Sequence, residues 1–78
     1  MNLDRLAATV RSKLRDGRLP VSEPGKVYAG YGRGLLCSAC EEAIEPTQVE
    51  YEFDERDRTY RFHPACHAIW QAERRLLQ

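Results

Sequence analysis

The sequence predicts a small α+β domain, with an amphipathic N-terminal helix, a turn that presents two cysteines, a β-hairpin and a closing helix. Three observations carry this. Apolar residues recur at helical spacing from Leu3 to Leu14, and they alternate in steps of two over 49–53 and 60–62. All three cysteines join one histidine in a single pattern, Cys37-x2-Cys40-x22-His63-x2-Cys66.

The first element runs from residue 3 to about 15. Leu3, Leu6, Ala7, Val10 and Leu14 follow the i, i+3, i+4, i+7 rule, with Arg5, Arg11, Lys13 and Arg15 assigned mostly off that stripe. Asp16-Gly17 supplies a stop because glycine accepts the left-handed cap conformation, and Pro20 follows. The stripe is expected to pack on the rest of the domain or on a second copy. The competing reading is a basic helix addressing nucleic acid or a membrane surface.

A connector rich in proline and glycine runs from Leu19 to Gly34, and Lys26 to Ala29 has the makings of a short strand. Its segment Tyr28-Ala29-Gly30-Tyr31-Gly32-Arg33-Gly34 is aromatic and basic. Either it wraps the core, or Tyr28, Tyr31 and Arg33 stack on bases or another ligand. The chain therefore divides into 1–34, helix and connector, and 35–78, a compact module.

Within 35–78, Leu35-Leu36 leads into the Cys37–Cys40 turn. Val49, Tyr51 and Phe53 alternate with Glu50 and Glu52; Asp54 to Asp57 turn the chain; Tyr60 and Phe62 return it. A last helix starts near Pro64, which suits the first helical position because its missing N–H has no partner there. Ala65, Ala68, Ile69, Ala72 and Leu76 are expected on its inner face, with Arg74 and Arg75 at the negative end of its dipole. Trp70 lies about 100° from Ile69, so it either caps the core or serves as an aromatic anchor for a partner.

Each half of the cysteine pattern brings two soft ligands within one turn of backbone. Three thiolates and one imidazole are the donor set of a closed tetrahedral Zn²⁺ site, and the metal ligands are read as Cys37, Cys40, His63 and Cys66. His63 and Cys66 are three apart at a helix start and share a face. His67 is the rival for the fourth position. A Cys37–Cys40 thiol–disulfide pair is the rival for the whole site, but that chemistry belongs at a βα junction of a larger fold. Four ligands leave no open position, so the zinc is read as structural, one per chain, and no catalysis is expected.

This order of turn, hairpin and helix resembles the treble-clef group of zinc fingers, and its spacing is similar to the first half of a LIM domain. The likeness covers about residues 35–77, with Cys37 and Cys40 matching the first ligand pair and His63 and Cys66 the second. No second set of four ligands follows, so the single-site treble clef is the form implied. The group hosts adaptors, nucleic-acid binders and some nucleases, and the chain is also similar to small bacterial zinc-finger proteins of undefined role. Fold alone leaves function open.

Composition narrows it. The chain has 78 residues, a size at which a hydrophobic core alone rarely supplies more than about 3–5 kcal/mol. Zinc binding energies of about 10–16 kcal/mol exceed that, so the module is expected to stay unfolded without metal. No stretch approaches a membrane span, the first residues lack a secretory signal pattern, and an odd cysteine count is awkward for disulfides; the cytoplasm is the expected location. Net charge is +0 but unevenly laid out, with cations prominent over 5–33 and acids over 41–57. A protein partner or self-association is the leading expectation. Nucleic-acid binding through Arg11, Arg15 and the Tyr28–Arg33 loop is the alternative.

Overall fold

A computed structural model describes residues 2–77. The order of elements is α1 (Leu3–Arg15), β1 (Tyr28–Tyr31), β2 (Val49–Glu55), β3 (Arg58–Phe62) and α2 (Pro64–Leu76). Both helices begin and end close to where capping chemistry puts them. Asn2 caps α1, its side-chain oxygen accepting from the Arg5 N–H at 3.0 Å. Gly17, at φ 81°, turns the chain away after its C-terminus. Pro64 opens α2 behind His63.

The sheet is antiparallel, in the order β1-β2-β3. Tyr51 pairs with Phe62 and Phe53 with Tyr60, which lines up the aromatic face that the period-two pattern predicts. The third strand is the departure. The sequence allows a short strand over Lys26 to Ala29; the strand lies two residues later and pairs with β2, Tyr28 opposite Glu52 and Tyr31 opposite Val49. Gly32 explains the placement. A Cβ there would run into the carbonyl oxygens of both Ile44 and Glu45, so only glycine lets the chain pass this close. Its N–H donates to Gln48 O at 2.8 Å, carrying the ladder one residue past β1.

The core lies where α1, α2 and one face of the sheet meet. Trp70 is wholly buried, its ring stacked on Phe53 and Phe62 at centroid distances of 5.2 and 5.3 Å. Its indole N–H donates to Pro20 O at 3.0 Å, which ties the connector to α2. Of the two roles open to Trp70, the structure gives it the core. As a partner-contact residue it is corrected, since a side chain without exposed surface cannot meet a partner of the folded monomer.

The inner face of α2 is also corrected. Cys66, Trp70 and Arg74 are buried, whereas Ala65, Ala68, Ala72 and Leu76 face solvent and Ile69 is half-buried. The stripe is rotated by about one residue, or 100°, because the ring stacking of Trp70 and the burial of Cys66 outweigh the small gain from burying alanine. Arg74 lies 5.0 Å from the Trp70 ring as a cation–π partner, so it does more than face the helix dipole.

Candidate metal centre

Two short segments build the site. Cys37 and Cys40 lie on a tight turn in which the Glu41 N–H donates to Cys37 O and the Cys37 N–H donates to Glu42 O. Glu41 closes this turn at φ 65°, a left-handed conformation unusual for a residue with a side chain. Ser38 then clamps the turn to β3: its N–H donates to Arg61 O at 2.7 Å, and its Oγ accepts from the Arg61 N–H at 3.1 Å. His63 and Cys66 arrive from the end of β3 and the first turn of α2.

The donor atoms of Cys37, Cys40, His63 and Cys66 all lie within 4.8 Å of one another. They are close enough to hold one metal ion. His63 Nδ1 is 3.5 Å from Cys40 Sγ and 3.9 Å from Cys66 Sγ. Zn–N and Zn–S bonds of ordinary length imply a tetrahedral N-to-S edge of about 3.6 Å. The donors thus fit a zinc-sized ion.

The far side of the imidazole settles its tautomer. His63 Nε2 lies 3.2 Å from Ala43 O, and since a carbonyl only accepts, Nε2 carries the proton. The Nδ1 lone pair is left facing the sulfurs, the outer-sphere arrangement that orients a metal-binding histidine. His67 is elsewhere. Its ring packs against Tyr51 at 4.9 Å, Trp70 at 5.6 Å and Phe62 at 5.9 Å, and its buried Nε2 has no hydrogen-bond partner. Burial, with Arg74 nearby, pushes its pKa below the usual value and favours a neutral ring.

Three thiols in this space cannot all ionise without a cation. A hydrogen bond from Cys66 draws the Cys37 thiol down to about 4, and the N–H groups of Cys40, His63 and Ala39 add to it against the opposing effect of burial. The same bond, then burial, pushes Cys66 up; burial does the same to Cys40. A bound divalent ion would remove the conflict by letting all three sulfurs ionise together. The three cysteines are free thiols in the structure.

Other residues singled out in the sequence lie apart from this cluster. Arg11 donates to Glu73 at 2.8 Å, joining α1 to α2. Arg33 reaches Glu50 at 3.1 Å and Glu52 at 2.6 Å across the outer face of the sheet. Arg61 approaches the same two carboxylates. The uneven charge along the sequence is therefore partly cancelled within the fold. Arg15 is exposed at the end of α1, and Tyr28 and Tyr31 are 58% and 75% exposed on β1.

Lys13 is the cation the sequence reading missed. It is only 4% exposed, and its ammonium donates to Ser38 O, Ala39 O and Glu41 Oε2 at 3.1, 2.9 and 3.0 Å. The signal was positional: Lys13 follows Val10 by three and Leu6 by seven, so it belongs to the apolar stripe.

No family model, curated protein or solved structure matches this chain.

Proposed function

We propose that this chain is a zinc-stabilised, non-catalytic binding module of treble-clef type, serving as a cytoplasmic protein–protein adaptor or small regulator. The observation that carries the proposal is the closed set of four donors, with His63 locked by Ala43 O. Such a set leaves zinc no position for water or substrate, so the ion holds the turn to α2 and does no chemistry. The second histidine, enclosed by three aromatic rings, is poorly placed to serve as an acid or base. Among the described residues no helix is long and apolar enough to cross a membrane.

A protein partner is favoured by β1. The ladder through Gly32 directs alternate N–H groups toward β2, which leaves those of Ala29 and Tyr31 pointing outward. All four β1 residues are exposed, and the strand carries none of the charges or prolines that usually blunt an edge. An extended segment of another protein can add there as a further strand, with Tyr31 flanking it. The nucleic-acid alternative is weakened because Arg11 and Arg33 are engaged by carboxylates.

Titration of the zinc-loaded protein with labelled single-stranded and duplex oligonucleotides at low salt separates the two. No binding is expected. Salt-dependent binding that Arg15→Glu abolishes would transfer the assignment to nucleic acid. For a protein partner, Ala29→Pro removes an outward N–H without breaking the ladder, so it is expected to lower affinity and leave the fold intact. An unchanged affinity would move the contact away from β1.

A further inference from the structure

Lys13 bonds to a chosen part of the turn. The two carbonyls that accept from it, Ser38 O and Ala39 O, belong to the peptide groups whose nitrogens are those of Ala39 and Cys40. In a Cys-x2-Cys turn the backbone N–H groups at these two positions are the ones available to hydrogen-bond the sulfurs. The ammonium therefore holds, by their oxygens, the two peptide groups that link Ser38 to Cys40 through Ala39. Hydrogen bonds in such a chain polarise one another, so a cation on the carbonyl strengthens the N–H as a donor. Glu41 Oε2 accepts the third ammonium hydrogen bond, which leaves no donor of Lys13 unsatisfied in its buried position.

Three thiolates and a neutral imidazole around Zn²⁺ carry a net charge of about −1. Lys13, paired on one side with the exposed Glu41 carboxylate, brings a buried ammonium from a different element of the fold onto the turn that carries two of the candidate ligands. We propose that Lys13 is a positioning residue of the metal centre, whose ammonium fixes and polarises the Ser38–Ala39 and Ala39–Cys40 peptide groups of the ligand turn and thereby strengthens its hold on the metal. The proposal deepens the zinc reading and rests on it. It also gives α1 a function beyond packing: the helix completes the electrostatics of a site to which it contributes no ligand.

The test uses the whole chain loaded with Zn²⁺ or with Co²⁺ as an optical stand-in. Lys13→Met keeps the length and removes the charge; Lys13→Arg keeps the charge; Leu14→Ala, on the same helix, sets the baseline for a packing defect. Lys13→Met is expected to bind zinc about 10–100-fold more weakly. It is also expected to move the sulfur-to-cobalt charge-transfer band to lower energy, because a sulfur with weaker hydrogen bonds gives up electron density more readily. Lys13→Arg should recover most of that shift, and Leu14→Ala should leave the band at the wild-type position. A wild-type band in Lys13→Met would overturn the proposal, as would an equal shift in Leu14→Ala.

If Lys13→Met takes up no cobalt, the wild-type ammonium resonances decide. Lys13 should give a slowly exchanging signal that disappears on chelation, with Lys26, the other lysine of the chain, as the fast-exchanging control. Fast exchange at both lysines would overturn the proposal. A wild-type protein that binds neither metal would instead sink the zinc reading itself.

Discussion

His63 and His67 stand four residues apart and do opposite things. One ring is fixed by Ala43 O with its free nitrogen toward three sulfurs, and the other fills space among aromatic rings. His63→Ala should therefore lose stoichiometric zinc, while His67→Phe should keep one equivalent per chain, as native mass spectrometry would show. His67→Phe should be at least as stable as wild type, because it removes a buried nitrogen that has no partner. A second contrast lies in the glycine segment. Gly32→Ala drives a Cβ into two backbone oxygens and should cost more than about 2 kcal/mol, whereas Gly30→Ala meets nothing within 4 Å and should stay within about 1 kcal/mol in urea denaturation of the zinc-loaded protein. The four metal-site residues were legible because ligand spacing is a local property of the sequence. Lys13 was not recognised, because a lysine inside an apolar stripe is by default assigned to solvent. Its burial depends on carbonyls that lie 25 and 26 residues away.

At the level of elements, the helices and hairpin could be read because caps, proline and period-two alternation are encoded within a few residues of each boundary. The inner face of α2 was harder. Apolar type alone does not distinguish a stripe of alanines from one that carries Cys66, Trp70 and Arg74. The difference is set by the rings of Phe53 and Phe62, which come from another part of the chain. Ala68→Lys, on the exposed side, should change stability by less than about 0.5 kcal/mol. Trp70→Ala removes the centre of the ring stack and should cost about 3–5 kcal/mol, enough to unfold so small a domain. Reversed outcomes would restore the alanine face. The β1 strand was displaced from its expected position for a similar reason, since the close approach of Gly32 to Ile44 and Glu45 exists only in three dimensions.

For the whole molecule, metal and fold are expected to be one equilibrium. Chelation should abolish the cooperative thermal transition and most of the helical circular dichroism, with recovery when one equivalent of zinc is restored. A cooperative transition that persists in excess chelator would separate folding from metal. Apparent zinc affinity should fall as pH is lowered, since protons compete with the ion for three sulfurs and the Nδ1 of His63. The ion pairs between Arg11 and Glu73 and between Lys13 and Glu41 each join α1 to the later part of the chain, so helix and module are expected to melt together. The sequence holds one tryptophan, and its indole touches the hairpin rings, Arg74 of α2 and, through Pro20, the connector. The fold thereby places its one tryptophan where the sheet, α2 and the connector meet. Its fluorescence should be blue in the assembled protein and shift red in one step when the metal is withdrawn, an optical gauge of assembly that needs no added label.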